Sequence, residues 1–220
     1  MKKRVVLFDL DDTLYPEIQY VASGQRAVAR VAEERFGANY EDVLGVMLAA
    51  DNAFDALHGM LPQMGVQEML QVYRNHMPDI CLSESSLGVL KELRAYGCGL
   101  GIITDGRSIG QRNKLKALGL DDMMDYVSVS EEIKADKLSS YPFQRAIDYF
   151  GDDCSYVYIG DNPAKDFMHP NAMGWHTMML KESSPGMNVH PQGLTDIGHL
   201  CRPDIVITDI CEVADIVRRL

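Results

Sequence analysis

The stretch from Arg4 to Tyr15 constrains this chain more than any other. Val5, Val6, Leu7 and Phe8 form a short apolar, β-rich run, the pattern of a strand buried on both faces. It runs straight into Asp9, Asp11 and Asp12, three acids within four positions. Carboxylates crowded at the end of a buried strand repel one another, so the arrangement calls for a cation or some other compensation. Open parallel α/β sheets bind ligands outside the carboxyl ends of their strands, which is where these acids fall.

A chain of 220 residues has room for one large domain, or for a core with a smaller insert. With 46% hydrophobic and 24% charged residues it has an ordinary globular composition. No apolar run is long enough to span a bilayer. The basic start Met1-Lys2-Lys3-Arg4 mimics a signal peptide, but Asp9 cuts the apolar stretch after it short. Five cysteines (Cys81, Cys98, Cys154, Cys201, Cys211), odd in number and without CxxC spacing, argue for a reduced, cytoplasmic protein. The net charge of -11 argues against nucleic acid or an acidic membrane as partner. It says nothing of oligomeric state.

Beyond Tyr15 the pattern turns helical. Ile18, Val21, Ala22, Ala29, Ala32 and Phe36 recur at helical spacing, and Gly37 supplies a stop. Asn39 is placed to cap a second helix, and further helices are predicted over 53–61 and 66–76. This block of about 65 residues is too long for a loop between two strands. The expected organisation is therefore a core of residues 1–15 and 81–220 with a helical cap at 16–80. Its methionines (Met47, Met60, Met64, Met69, Met77) read as gap-filling core.

From Ser83 onward strands and helices alternate. Strands are predicted over 100–103, 126–129, 156–159, 177–180 and 205–207, with a surface loop over 183–203. Pro142 starts one helix, and Asp209 is expected to cap a closing helix with Val213, Ile216, Val217 and Leu220 inward. The alternation implies α/β class: a doubly wound parallel sheet, here with an inserted α-helical cap. Four strand ends then carry complementary chemistry. The first offers Asp9 and Asp11, and the second offers Thr104 followed by Asp105 and Gly106, whose N–H groups are placed to face an anion. The third leads to Lys137, and the fourth offers Asp161 and Asp166. Oxygen-only ligation by a few carboxylates suits Mg²⁺.

Asp9-Leu-Asp11-Asp-Thr13, Thr104 in Ile-Thr-Asp-Gly, Lys137 after Ser130-Glu131-Glu132, and Gly160-Asp161-Asn-Pro-Ala-Lys-Asp166 together resemble the four motifs of the haloacid dehalogenase (HAD) superfamily. The stretches Gln111, Lys114 to Leu120 and Ala172-Met-Gly174 are similar too, so the resemblance spans residues 4 to 180. One departure is Leu138, where the family commonly has proline after its lysine. It leaves Lys134 as a rival to Lys137.

The resemblance implies a HAD-like core and a phosphatase acting on a small phosphorylated metabolite. By that resemblance Asp9 attacks phosphorus to form an aspartyl-phosphate. Asp11 protonates the leaving alkoxide and then takes a proton from water. Asp9, the main-chain carbonyl of Asp11 and Asp161 hold Mg²⁺, with Asp166 behind them. Thr104, the N–H groups of Asp105 and Gly106, and Lys137 bind the phosphoryl oxygens, and Thr13 orients the turn. Asp12 is expected to face solvent or accept within the turn. Tyr20, Arg26, His58 and Arg74 are candidates to meet the leaving group, and the turn from Tyr15 to Glu17, which leads into the helical block, is expected to read it too. Trp175 reads as core.

The same motifs serve phosphomutases, the nearest alternative. Dehalogenases of the superfamily do not need Asp11 or Mg²⁺. Phospho-accepting signalling modules carry their accepting Asp after a later strand and no such insert.

Overall fold

A computed structural model describes residues 3–182, 188 and 198–220. Among them, six strands form one parallel sheet: β1 (Arg4–Phe8), β2 (Gly99–Thr104), β3 (Tyr126–Val129), β4 (Ser155–Gly160), β5 (His176–Leu180) and β6 (Ile205–Ile207). Their order is β3-β2-β1-β4-β5-β6, the doubly wound arrangement, with β1 in the centre. The expected strands are all present. β2 and β4 extend one residue further at each end than the apolar runs suggested, and β5 starts one residue earlier.

Strand periodicity sorts the core. Val6 and Phe8 point to one face, among Leu90, Leu100, Leu115 and Val213. Val5 and Leu7 point to the other, among Phe143, Tyr158, Phe167 and Trp175. These four side chains are fully buried, and only Arg4 of β1 is not. Each such burial contributes about 1.5–3 kcal/mol, so β1 is fixed in register from both sides. Trp175 is core as expected, stacked on Tyr156 with ring centroids 4.6 Å apart.

Helices α1 (Glu17–Phe36), α2 (Tyr40–Ala49), α3 (Ala53–Met60) and α4 (Val66–Asn75) follow β1. Gly37 ends α1 in the left-handed region, φ 68°, and Ala38 N–H closes back onto the Ala32 carbonyl. Asn39 caps α2 as expected, its side chain accepting from Asp42 N–H at 3.1 Å. The four helices share their own apolar cluster of Val28, Ala32, Val43, Leu57, Met64 and Met69. Met47 is buried with them, but Met60 and Met77 are largely exposed, so only part of the methionine set is core.

The chain then returns through α5 (Glu84–Ala95), α6 (Ser108–Ala117), α7 (Ser130–Ile133), α8 (Tyr141–Phe150), α9 (Met168–Ala172) and α10 (Glu212–Arg219). Asp209, three residues ahead of Glu212, accepts from Cys211 N–H instead of capping α10 itself. Val213 and Val217 face inward as expected, whereas Leu220 is largely exposed because the helix ends at Arg219. Most of the loop expected over 183–203 lies outside the described residues. Within it, His199–Cys201 form a single 3-10 turn.

Two glycines in β2 make the central packing possible. A Cβ on Gly101 would lie 2.6 Å from Leu7 Cδ2 and 3.0 Å from the Tyr126 carbonyl, and one on Gly99 2.8 Å from Phe150. Gly101→Ala is therefore expected to lower unfolding free energy by about 1–3 kcal/mol, the range for overpacking. Urea denaturation measures it, and an unchanged midpoint would show that β1 and β3 yield at no cost.

Candidate active site

The motif-bearing strands are neighbours, β2-β1-β4, so their carboxyl ends meet above the sheet. A small recess there is lined by Asp9, Asp11, Thr104, Lys137 and Asp161, with Glu17 and Lys165 at its mouth. A larger recess of ≈ 370 Å³ lies behind the turn, among Leu14, Tyr15, Ser86, Leu180 and Ile210. Its charged residues are Asp12, Lys181, Glu182 and Asp209, not Asp9, Asp11, Lys137 or Asp161, and chemistry favours the smaller one.

Asp9 follows β1 and is held by its own N–H, which donates to the Ile159 carbonyl at 2.8 Å. Lys137 Nζ lies 2.9 Å from Asp9 Oδ1 and 2.7 Å from Asp166 Oδ1. Burial alone would lower the lysine's pKa, but Asp166 and Asp9 more than offset this and keep it charged. Lys134 ends α7 in the left-handed region, φ 57°, and lines a surface recess with Ser130 and Asp136. Geometry thus selects Lys137 over its rival. Leu138 N–H donates to Asp136 Oδ1 at 3.1 Å, a bond that proline could not make.

Asp166 is fully buried, and Gly160 makes room for it: a Cβ there would lie 2.4 Å from Asp166 Oδ2. Its Oδ2 accepts Asn162 N–H at 2.8 Å, and Tyr158 O–H donates to Oδ1 at 3.3 Å. Asp9, Asp161 and Asp166 each bring an oxygen within 4.8 Å of the others, all three buried. The donor set suits a hard divalent cation. Electrostatics point the same way. Burial, reinforced by Asp166 and Asp161 and opposed by Lys137, holds Asp9 well above the usual carboxylate range. Burial and Asp166 push Asp161 up to about 7, against Lys137 and a hydrogen bond from Asn188. Burial is the first cause at both acids and their crowding with Asp166 the next, and a bound cation would relieve both.

Asp11 differs from its neighbours. Burial would raise it, but Lys114, Tyr15 and Gln111 outweigh burial and hold it below the usual range. Tyr15 O–H donates to Oδ1 at 2.5 Å, Lys114 Nζ to Oδ1 at 2.7 Å, and Gln111 Nε2 to Oδ2 at 3.0 Å. Gln111 also donates to Thr104 Oγ at 2.5 Å, which leaves the buried Thr104 O–H to donate into the recess.

Other expected residues fall differently. Asp105 lines the recess, and its carboxylate accepts Lys137 N–H at 3.1 Å, so it anchors the segment that presents the lysine. Gly106 does not reach the recess: its N–H donates to Ser130 Oγ at 2.9 Å and is spent there. Asp12 is buried in the left-handed region, φ 53°, where its carboxylate accepts Glu17 N–H at 2.8 Å. It is the turn acceptor, not a solvent-facing side chain. Thr13 Oγ is buried with no hydrogen bond among the described residues, so its hydroxyl does not orient the turn.

None of Tyr20, Arg26, His58 and Arg74 lines the recess. Tyr20 packs over Lys114, Arg26 pairs with Asp79 at 3.5 Å, and His58 binds the Met64 carbonyl. The helical block reaches the recess through Glu17, in the first turn of α1. Burial and Asp11, partly offset by Lys114, push Glu17 up to about 7. Glu17 belongs to the turn from Tyr15 to Glu17 expected to meet the leaving group, whereas Lys165 looks like any surface lysine.

Residues 6–180 match the family of haloacid dehalogenase-like hydrolases. The glyceraldehyde 3-phosphate phosphatase of Methanocaldococcus jannaschii is 26% identical over 230 residues, covering 98% of this chain and 97% of its own. The ribulose-1,5-bisphosphate 5-phosphatase of Halopiger xanaduensis is 27% identical over 202 residues, covering 81% of this chain and 84% of its own. Among solved structures, a 2-haloacid dehalogenase from Pseudomonas syringae aligns with a TM-score of 0.68 at 20% identity, over 100% of this chain and 99% of that one. A HAD phosphatase from Thermococcus onnurineus gives 0.63 at 22% identity, over 97% of each chain. These two structures speak to the fold alone. The family match and the fold agree, and this chain belongs to the haloacid dehalogenase-like hydrolases.

Proposed function

We propose that the chain is a Mg²⁺-dependent phosphatase that hydrolyses a small phosphomonoester, a triose or sugar phosphate, through a phosphorylated Asp9. The observation that carries this reading is the meeting of Asp9, Asp11, Thr104, Lys137 and Asp161 in one recess. The relatives named for phosphatase activity on small sugar phosphates favour hydrolysis over phosphoryl migration. The presence of Asp11 sets the chain apart from dehalogenation.

Lys137 occupies Asp9 Oδ1, so the other carboxylate oxygen faces the phosphorus. As its bond to phosphorus forms, the bond to the leaving oxygen breaks, and a proton from Asp11 neutralises the alkoxide. Asp11 is held ionised without ligand, so the proton it gives is first taken up from solvent or from the phosphate monoanion, as the phosphate charge raises the proton affinity of Asp11. In the second half, Asp11 takes a proton from the water that attacks the phosphorus, and Asp9 regains its carboxylate. The Thr104 O–H and Lys137 stabilise the phosphoryl oxygens. Asp9, Asp161 and the Asp11 carbonyl would hold Mg²⁺, with Asp166 behind them, pinned by Lys137 and Asn162. When bound, the cation supplies charge screening between nucleophile and phosphoryl group.

Helices α1 to α4 act as a cap over this recess, residues 16–80, the core being 1–15 and 81–220. Glu17 and Lys165 are placed beside the leaving group, where Glu17 can accept hydrogen bonds from hydroxyls. No helix among the described residues is long and apolar enough to cross a membrane. Five unpaired thiols support a reducing, cytoplasmic setting.

Asp9→Asn should lower 4-nitrophenyl phosphate turnover in Mg²⁺ by at least about 10³-fold, the scale of losing a nucleophile. The circular dichroism should stay unchanged. Folded Asp9→Asn protein with near-native turnover would remove Asp9 from that role.

Metal should also show in stability. With Asp161 at about 7 in the fold and about 4 when unfolded, the metal-free protein loses stability as pH rises between these values. Cation binding needs ionised carboxylates and grows over the same interval. Mg²⁺ should therefore raise the thermal midpoint more at about pH 8 than at about pH 5.5, on either side of the Asp161 value of about 7. An equal shift at both would place the metal elsewhere.

A further inference from the structure

Helix α6 delivers two side chains to Asp11, Gln111 and, one turn on, Lys114. The Lys114 side chain is 5% exposed, and its Nζ lies 2.7 Å from Asp11 Oδ1 and 3.8 Å from Glu17 Oε1. The Tyr20 ring covers the same Nζ, 4.1 Å from ring centroid. One ammonium thus stands between an acid of the core and an acid at the start of α1, under an aromatic lid. On the surface such a pair would matter little, but here it is buried and shared.

The hydrogen-bond count at Asp11 gives this pairing a direction. A carboxylate oxygen has two lone pairs, and Oδ1 already accepts from Tyr15 and Lys114. Oδ2 accepts Gln111 alone among the described residues, so it keeps one lone pair. Of the two oxygens, Oδ2 is the one able to carry a proton to or from a ligand. The carboxylate cannot rotate without breaking the Lys114 and Tyr15 bonds together.

We propose that Lys114 is a positioning residue which, with Tyr15, fixes the Asp11 carboxylate so that Oδ2 presents its proton to the leaving oxygen. This rests on the phosphatase reading above. Lys114 touches no substrate in this arrangement. It acts through Asp11, and it also stands between Asp11 and Glu17, 2.7 Å from the one and 3.8 Å from the other.

A structural role alone would affect all substrates alike, whereas a misplaced proton donor hurts only substrates whose leaving group needs a proton. Phenyl phosphate and 2,4-dinitrophenyl phosphate share the phosphoryl group and differ in leaving-group basicity. kcat/KM reports the steps up to leaving-group departure. Lys114→Gln should lower kcat/KM for phenyl phosphate by about 100-fold, the low end of a general-acid contribution, and for the dinitrophenyl ester by less than about threefold.

Tyr15→Phe removes one hydroxyl from the same oxygen with little change of shape, and should show the same pattern to a smaller degree. It carries the test if Lys114→Gln fails to fold. A common factor on both esters, or no change on either, would overturn the role of Lys114 while leaving the phosphatase reading in place. Wild-type protein that releases phosphate from neither ester in Mg²⁺ would overturn that reading, and this inference with it.

Discussion

Lys137 sits between Asp9 and Asp166 with almost no access to water, and the recess is built round that contact. Two carboxylates at this depth would be forced apart or protonated without a cation between them. Removing the lysine would strand both, a loss of about 3–5 kcal/mol for a broken buried pair. Its place is secured by the chain on each side. Asp105 accepts its N–H, Gly160 leaves the volume that Asp166 fills, and Asn162 N–H holds the far carboxylate oxygen. Strand β1 brings Asp9 to this point because its four apolar residues are locked into both cores. Fold and site therefore share one support.

The two lysines have separate duties. Lys137 answers the acids of β1 and β4, and Lys114 answers Asp11 and Glu17. Lys114, with Tyr15 and Gln111, outweighs burial at Asp11, whereas Lys137 does not outweigh it at Asp9, so two nearby aspartates are split, Asp9 held high and Asp11 held low. In the metal-free protein this order is the reverse of what an ionised nucleophile at Asp9 and a protonated acid at Asp11 would need. The proposed chemistry therefore requires bound cation and phosphoryl charge to invert it. Asp9 and Asp11 lie two residues apart, so the separation is made by helix and loop residues arriving from elsewhere in the chain.

That is also why some of the site was legible in the sequence and some was not. Asp9, Asp11, Thr104 and Asp161 sit at or just past the ends of apolar runs, and a parallel sheet gathers its strand ends whatever the details of packing. Lys137 follows no strand directly, and its role emerged only through its spacing from Ser130-Glu131-Glu132. Gly106 read as an anion donor, but Ser130 from the neighbouring strand end takes its N–H. Gln111 and Lys114 occupy one face of α6 at i, i+3, a spacing also shown by surface residues, so nothing local marked them as buried partners of Asp11. The leaving-group residues expected deep in the helical block, His58 and Arg74, lie away from the recess, because its helices bury their own apolar cluster first. Glu17 reaches it because α1 starts beside the Asp12 turn.

Charge at the recess bears on how a ligand enters. Six carboxylates line it (Asp9, Asp11, Asp12, Glu17, Asp105, Asp161) against two lysines, Lys137 and Lys165, with Lys114 behind Asp11 and Glu17. A phosphate dianion approaching this set alone meets a field of its own sign, and burial weakens the screening that water and salt would give. Lys137 cannot reverse that field, since it is already shared by two acids. A dication and a phosphoryl group therefore favour each other's binding, and by linkage the preference is equal in both directions. The high values of Asp9 and Asp161 come first from burial and then from the neighbouring carboxylates. A recess so acidic is poorly suited to hold phosphate by itself, and well suited to hold it once a cation has settled the carboxylates.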